Sequence, residues 1–367
     1  MVNVDNLTHS LIGVMLSRAG LDRTHTYANP DDPAARKAAR KQHFTLMMVL
    51  AANVPDIDGF PFFYDPLEYL QIHRGPTHAF FYLPLLALLP IAVVWAVNRR
   101  RPPALLYWWF ASMIAVASHL LIDWTNVYGV RLLLPFNGEW LHLDMTNLID
   151  PLIWLILLLA LAAPALSALV SQEIAGRSRA PKLAWAWVAL IGVTGYDGYR
   201  WINHQQALET LNSRLYNNGP AEQVSAYPSG VLPSTWRGIV HATAEGKAVV
   251  YETELHLGQT YDPRTAKEFY PADPEENPAI RAALTTRPFQ VLSWFDQAPF
   301  WSVTPSGAQD PAAPVDQGLE SVDLVDMRFG SPGGRGGGFT AHAIVDRRGN
   351  VLESSFGMGR GPVQRSE

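Results

Sequence analysis

The sequence contains no cysteine among its 367 residues. This absence excludes disulfide bonds and thiolate ligands, so any metal ion must be held by histidine, aspartate, glutamate, asparagine or water. Charged residues are also scarce, at 17% of the chain, and the formal net charge is only -5. Because the chain lacks a basic patch interleaved with aromatic residues, we expect no nucleic-acid partner.

Apolar residues, by contrast, are abundant and unevenly distributed. They make up 48% of the chain, and nearly all the long apolar runs lie before residue 203. The remainder is polar, rich in glycine and proline, and contains patterns typical of short strands. The sequence therefore predicts an α-helical integral membrane domain over residues 1–202 and a small β-rich extramembrane domain, with a helical stem, over residues 203–367.

Four of the apolar runs are close to the roughly 20 residues that a membrane-spanning helix requires. We predict these transmembrane helices at residues 77–97, 104–122, 148–170 and 180–202. Two shorter apolar segments, 6–19 and 43–54, are predicted to be re-entrant or partly buried helices that pack within the protein. In the second domain we predict a short helix at 277–284 and strands at 239–243, 248–256, 289–295, 321–327, 339–346 and 351–356.

Three polar clusters stand at the ends of apolar runs. They are Pro-Asp-Ile-Asp at 55–58, His-Arg-Gly-Pro-Thr-His at 73–78 and Ser-His-Leu-Leu-Ile-Asp at 118–123. Imidazole and carboxylate are ligands for zinc, manganese and iron, and an unpaired ionisable group beside hydrocarbon is costly. The clusters therefore predict a divalent metal site, with zinc as the first choice and manganese or iron as alternatives.

The spacing within the clusters supports this prediction. His119 and Asp123 are four residues apart on a predicted helix, which puts both side chains on one face. His73 precedes a Gly-Pro pair and His78 follows it, so the two would approach an ion from a loop and from the start of a helix. The aspartates at 56 and 58 are followed by Gly59 and Pro61 and are predicted to lie on a turn that ends a helix.

Together the motifs resemble the YdjM-like family of membrane-bound metal-dependent hydrolases. The resemblance covers about residues 1–170. It rests on the three clusters, on Thr-His-Ser at 8–10 and on the downstream pairs Tyr-Gly at 128–129, Pro-Phe at 135–136 and Asp-Pro at 150–151. It implies a metal site within the membrane domain and a hydrolytic reaction.

These observations lead to a specific set of candidate residues. The predicted metal ligands are His9, Asp56, Asp58, His73, His78, His119 and Asp123. Asp56 or Asp58 would also act as general base, and Arg74 would pair with an anionic substrate group or contact lipid headgroups. The alternative interpretation is that the buried pairs only lock helices together. Six further histidines lack partners in sequence and are expected at the surface: His25, His142, His204, His241, His256 and His342.

The orientation in the membrane follows from the basic loops. Residues 99–101 and 177–182 are predicted to be cytoplasmic because positive charge favours that side. If the basic loop at 18–41 is cytoplasmic as well, all the candidate ligands gather at the outer face. We therefore expect a bacterial inner-membrane protein whose C-terminal domain lies on the periplasmic side.

The sequence thus predicts a membrane-embedded hydrolase that uses metal-activated water to cleave an ester or phosphoester. The depth of the site favours a lipid or lipid-linked substrate that enters from the bilayer. One alternative is a non-enzymatic transporter or assembly factor with a polar path of His and Asp side chains. Another is a metal-free lipid phosphatase with a phosphohistidine, although its Pro-Ser-Gly-His motif is missing, because Pro-Ser-Gly at 228–230 is followed by Val231.

Overall fold

The computed structural model describes residues 5–23, 31–34, 43–99, 102, 104–173, 182–306, 316–334, 338–358 and 364–365. The chain divides into two compact units. The first, here called the helical unit, comprises Asn3–Gly59 and His73–Ile202. The second, the C-terminal unit, comprises Phe60–Ile72 and Asn203–Glu367.

The helices are numbered in chain order. They are α1 (Asn6–Leu16), α2 (Phe44–Asn53), α3 (Pro66–Ile72), α4 (Leu83–Leu86), α5 (Leu88–Asn98), α6 (Leu105–Thr125), α7 (Pro151–Glu173), α8 (Lys182–Asn212), α9 (Pro278–Ala283) and α10 (Arg287–Phe295). Two 3₁₀ segments, Val54–Phe63 and Pro76–His78, carry several of the candidate ligands.

Helix α2 lies at the centre of the helical unit, in contact with α1, α5 and α6. Its fully buried side chains include Met47 and Met48, which belong to one apolar core with Ala111 and Ala115 of α6. A second core joins α1 to α7 and α8. Because α1 contributes to the second core and packs on α2, it connects the two groups of helices.

The contact between α1 and α2 depends on Gly13. A Cβ atom at this position would lie 2.8 Å from the carbonyl oxygen of Met48 and 3.0 Å from the Cα atom of Val49. Because both obstacles are backbone atoms, we expect Gly13→Ala to force the helices apart and to destabilise the protein by about 1–3 kcal/mol.

The matched control for this prediction is Gly195→Ala on α8, where a Cβ atom would meet nothing within 4 Å. Alanine is favoured over glycine in helices by about 0.5–1 kcal/mol, so this variant should be neutral or slightly more stable. Thermal unfolding of the two variants in the same detergent tests the difference. Equal melting temperatures would show that the close contact does not limit stability.

Two helical segments among the described residues are long and apolar enough to cross a membrane. They are Phe44–Phe63, which joins α2 to its 3₁₀ continuation, and Leu105–Thr125. A third would be added if Pro66–His78 and Leu83–Asn98, which are bent by 89°, form one broken span. The predicted number of four spans is therefore not confirmed. The basic positions 100, 101 and 177–181 and most of the loop 18–41, on which the orientation was based, lie outside the described residues.

The prediction of one continuous helix over 77–97 is wrong. Ala79 is extended, with ψ of 140°, and ends the 3₁₀ turn Pro76–His78. The Phe80 N–H then donates to the carbonyl oxygen of Leu132, 3.0 Å away, instead of to a preceding turn of helix. Helix α4 starts only after this point, with Pro84 near its beginning, because proline lacks the N–H that a continuing helix would need.

The C-terminal unit is rich in antiparallel sheet, as predicted. Its strands are β1 (Leu215–Tyr216), β2 (Gly219–Pro220), β3 (Gln223–Pro228), β4 (Thr235–Ala244), β5 (Lys247–His256), β6 (Lys267–Phe269), β7 (Pro299–Ser306), β8 (Asp316–Asp326), β9 (Phe339–Asp346), β10 (Val351–Met358) and β11 (Gln364–Arg365). They form sheets ordered β3-β4-β5-β6 and β11-β10-β9-β8-β7, and β1 pairs with β2.

One predicted strand of this unit is a helix. Residues 289–295 belong to α10, which begins beside Pro288 and buries Phe289, Leu292 and Phe295. These apolar positions recur every three residues, a spacing that places them on one face of a helix. Helix α3 packs against α10. Arg287, the first residue of α10, lies 2.7 Å from Asp65, which immediately precedes α3. This packing explains why Phe60–Ile72, assigned by sequence to the membrane domain, groups with the C-terminal unit.

Of the six histidines predicted to lie at the surface, His256 is exposed and His204 is buried, and three have a carboxylate partner. The side chain of His142 lies 2.8 Å from Asp144, and that of His342 lies 2.8 Å from Asp323. His256 is 3.3 Å from Glu254. His204 is buried against the Trp236 ring, and His241 lies on β4. His25 lies outside the described residues.

Candidate metal centre

The seven predicted ligands come from distant parts of the chain and meet inside the helical unit. Helix α1 supplies one residue, the 3₁₀ continuation of α2 supplies two, the segment around Pro76–His78 supplies two and α6 supplies two. Each side chain is at most 6% exposed, and each lies within 3.5 Å of another member. They are His9, Asp56, Asp58, His73, His78, His119 and Asp123.

Four of these residues form a compact group. The two imidazole Nε2 atoms of His78 and His119 are 3.1 Å apart. Asp56 Oδ1 is 3.5 Å from each of these nitrogens, and Asp123 Oδ2 is 3.3 Å from each. All four donor atoms lie within 4.8 Å of one another. Two nitrogens and two carboxylate oxygens therefore converge on one point.

The outer nitrogens of both imidazoles are occupied by hydrogen bonds. His119 Nδ1 donates to the carbonyl oxygen of Ala52 at 2.7 Å, which fixes the ring as the Nδ1–H tautomer when neutral. His78 Nδ1 lies 3.0 Å from the hydroxyl of Thr77, whose own proton is donated to Asp58. The neutral rings therefore present two Nε2 lone pairs to each other, an arrangement that favours a cation between them.

A second group shares one residue with the first. Donor atoms of Asp56, Asp58 and His73 also lie within 4.8 Å of one another. Asp58 Oδ1 is 2.8 Å from His73 Nδ1, and its Oδ2 accepts the backbone N–H of Arg74 at 3.1 Å. Because Asp56 belongs to both groups, the cluster has the composition of a site for one ion or for two neighbouring ions.

The two aspartates reach different partners because of the local backbone. The predicted terminating turn at 56–58 is wrong, since the chain continues as a 3₁₀ helix from Val54 to Phe63. A 3₁₀ helix has three residues per turn, so residues two apart point in different directions. Asp56 accordingly faces His119, whereas Asp58 faces His73, and the intervening Ile57 is 61% exposed.

Arg74 is buried beside the cluster and is held by protein groups. Its Nη2 lies 3.0 Å from Asp123 Oδ1, and its Nη1 donates to Asn126 Oδ1 at 2.9 Å and to the Gly129 carbonyl at 3.2 Å. The guanidinium also lies over the Tyr128 ring, 4.7 Å from its centroid. Burial of the side chain argues against the alternative of a lipid-headgroup contact, and its pairing with an anionic substrate group stays a prediction. Arg74 orients Asp123 and the loop that follows α6.

His9 and Asp150 lie outside the two groups. The His9 ring stacks on His119 with centroids 3.7 Å apart, and its Nε2 is 3.5 Å from Asp123 Oδ1. Asp150 caps the start of α7 through the N–H of Leu152 at 3.0 Å and accepts the Tyr196 hydroxyl at 2.8 Å. The role of His9 as a ligand stays a prediction, whereas Asp150 has the contacts of a helix cap.

Sequence analysis missed the residues that orient the ligands. Thr77 links His78 to Asp58, and Asn126 holds Arg74. Thr77 lies within the 73–78 motif, so its hydroxyl was visible in sequence, but its direction depends on the 3₁₀ turn. No local pattern identifies Asn126, because its contact spans 52 positions.

The similarity to known proteins is found mainly in the part of the sequence that forms the helical unit. The family model described as YdjM inner membrane protein matches residues 4–206, more than half of the chain. The "Uncharacterized protein YfhP" of Bacillus subtilis (strain 168) is 28% identical over 170 residues, which cover 43% of this chain and 46% of that protein. The match thus spans less than half the length of this relative. No solved structure matches the chain. The protein belongs to the YdjM inner membrane protein family.

Proposed function

We propose that the protein is a membrane-embedded metal-dependent hydrolase that cleaves an ester or phosphoester of a lipid or lipid-linked molecule. The observation that carries this proposal is the group formed by Asp56, His78, His119 and Asp123. Donor atoms that bind one zinc ion at about 2.0–2.2 Å lie about 3.3–3.6 Å apart in a tetrahedral arrangement, and a catalytic ion must also keep a position for water. Five of the six donor–donor separations in the group are 3.1–3.5 Å, close to that requirement, and all six are within 4.8 Å.

The hydrogen bonding of the group also fits a cation. Asp56 Oδ2 is buried and has no hydrogen-bond partner among the described residues. A buried carboxylate oxygen without a partner is destabilising, and so are two facing imidazole lone pairs. A divalent ion held by the four residues would relieve the facing lone pairs, and a water molecule beside it could donate a hydrogen bond to Asp56 Oδ2. Zinc suits this set of nitrogen and oxygen donors best, with manganese and iron as alternatives.

A divalent cation bound here would supply Lewis acidity, which lowers the pKa of a water molecule to about 7. The protein groups then have separate tasks. Asp56 would hold the ion through Oδ1, the oxygen that lies 3.5 Å from each Nε2 atom, which leaves Oδ2 to accept the proton of the attacking water. Asp58 suits this task less well because it already accepts bonds from His73, Arg74 and Thr77. Water adds to the acyl carbon or phosphorus, the bond to the alcohol oxygen breaks and the proton passes to that oxygen.

The shape of the cluster supports an enzyme more than the alternative of a transporter or assembly factor. A path for ions or protons needs polar side chains spaced along a route. The seven residues instead form one closed group in which neighbouring side chains are within 3.5 Å. The phosphohistidine alternative gains no support from His119, since its Nε2 faces His78 and Asp123.

Hydrolysis of membrane lipids by the purified full chain tests the proposal. We expect products from a bacterial lipid extract, detected by mass spectrometry, with activity that is lost on chelation and restored by zinc. Asp56→Asn should abolish this activity, whereas Asp150→Asn, which changes a carboxylate outside the cluster, should retain it. A metal-loaded protein that cleaves neither ester nor phosphoester bonds would contradict the proposal.

We further propose that the C-terminal unit lies on the periplasmic side, because the basic loops at 99–101 and 177–182 favour the cytoplasm. A fluorescent reporter that matures only in the cytoplasm should stay dark when fused to the C-terminus, and an alkaline phosphatase fusion should be active. The same pair of reporters fused within the 177–181 loop is the control and should give the opposite result. A fluorescent C-terminal fusion would overturn the orientation.

A further inference from the structure

A cleft of about 540 Å³ opens beside the metal centre, between α1, α2 and α5. Asp56 forms part of its wall, so a molecule in the cleft would touch the cluster directly. Most of the remaining wall is apolar and includes Leu50 of α2 and Leu89 and Val93 of α5. The volume falls in the range of about 300–1,000 Å³ that is typical of small-molecule sites.

The cleft is reached from the apolar surface of the helices. Leu89 and Val93 are each 41% exposed, although they line it. Both belong to α5, which forms part of the broken candidate span. An apolar opening on a membrane helix faces the hydrocarbon of the bilayer. It favours the chain of a lipid over a water-soluble molecule, because the latter would have to lose its hydration to reach the opening.

One residue that lines the cleft, Asn53, has an oriented amide group and a buried acceptor atom without a partner among the described residues. Asn53 Nδ2 donates to the Val49 carbonyl at 2.7 Å and to Ser10 Oγ at 3.0 Å. Because the Val49 carbonyl can only accept, these bonds fix which end of the amide is nitrogen. Asn53 Oδ1 is buried and has no hydrogen-bond partner among the described residues. An acceptor of this kind is matched by a ligand that carries a hydroxyl or an N–H group.

We infer that the cleft binds a lipid with one hydrocarbon chain and a free hydroxyl or N–H group close to the bond that is cleaved. The inference rests on the proposed function, since it names the substrate class of the same centre. The chain lies along Leu50, Leu89 and Val93. The donor group bonds to Asn53 Oδ1, and the ester or phosphoester lies against Asp56 one turn further along the chain.

Because the chain has no cysteine, single-cysteine variants can report on occupancy. Val93→Cys places a thiol on the wall of the cleft. Val97→Cys lies one turn away on the same helix, is 66% exposed and does not line the cleft, so it is the matched control. Both full-length variants are placed in lipid nanodiscs, and their rates of alkylation by N-ethylmaleimide are measured.

The probe is a monopalmitoyl glycerol phosphate with a free 2-hydroxyl group, compared with the analogue in which that hydroxyl is replaced by hydrogen. We expect the first lipid to slow alkylation of Val93→Cys and to leave Val97→Cys unchanged. The analogue should protect about 3- to 10-fold less well at equal concentration, as the loss of one hydrogen bond predicts. Equal protection of both positions, or no protection at Val93→Cys, would overturn the inference.

Two further variants in the Val93→Cys background test the role of Asn53. Asn53→Leu should remove the difference between the two lipids, whereas Ser10→Ala, which breaks the same contact between α1 and α2 but keeps Oδ1, should retain it. If Ser10→Ala also removes the difference, Asn53 acts only by positioning the helices and the inference fails. Alkylation needs no turnover, so the outcome is separate from the hydrolysis assay that tests the proposed function.

Discussion

Replacing His119 with alanine is expected to lower the affinity for zinc by about 10-fold or more, because the variant removes one of four converging donors. The effect should exceed that of His9→Ala, since His9 stacks on His119 but lies outside both donor groups. Elemental analysis of purified protein after dialysis against a weak chelator measures the difference.

Two controls make this result specific. His256→Ala changes an exposed histidine of the C-terminal unit and should leave the metal content unchanged. His119→Gln retains much of the buried volume, so it separates loss of the ligand from collapse of the core, and both variants are compared as monodisperse protein. Unchanged metal content in both His119 variants would remove this residue from the site. A large effect of His9→Ala would instead make His9 a ligand.

Asp56→Asn is expected to remove more metal than Asp58→Asn. Asp56 belongs to both donor groups, whereas Asp58 belongs only to the group with His73. We therefore expect two ions per chain in the wild type, about one in Asp58→Asn and close to none in Asp56→Asn. Asparagine keeps the size of the side chain while it removes the negative charge that balances a divalent ion.

The stoichiometry is measured by elemental analysis against protein concentration, with Asp150→Asn as the control carboxylate. A wild type with a single ion that survives Asp58→Asn would restrict the site to Asp56, His78, His119 and Asp123. Equal losses in the two aspartate variants would show that the overlapping groups act as one unit, and the assignment of Asp56 as a shared ligand would fail.

Local patterns predicted the parts of this site that lie on one element. His119 and Asp123 are on one face of α6 because an i,i+4 spacing has that consequence in any α-helix. The predicted strands 239–243 and 248–256 lie on β4 and β5, which are joined by a tight turn at Glu245 and Gly246, where both residues have positive φ. Short periodic signals of this kind depend little on the rest of the fold.

Other features depend on distant contacts and were predicted incorrectly. Residues 77–97 have the composition of one span, but the backbone of Phe80 pairs with Leu132 and the helix is interrupted. Residues 289–295 are short and apolar, a pattern shared by buried strands and buried helices. Their helical state becomes clear only from the face that packs against α3 and β9. Composition also gave no sign that Phe60–Ile72 packs with the C-terminal unit.

Residues Phe60–Ile72 belong to the C-terminal unit, although in sequence they lie between ligands of the metal centre. The chain leaves the cluster just after Asp58 and returns to it at His73, and the residues between these points belong to the C-terminal unit. A protein that stopped at Ile202 would therefore retain this excursion but lose α10, against which α3 packs. Residues 60–72 would then connect Asp58 to His73 without α10 to pack against. Holding the two ends of an unpacked connection together costs conformational entropy, whereas in the full chain the packing on α10 already fixes this segment. We therefore expect a chain that ends at Ile202 to bind metal less tightly than the full chain, although it contains all the ligands.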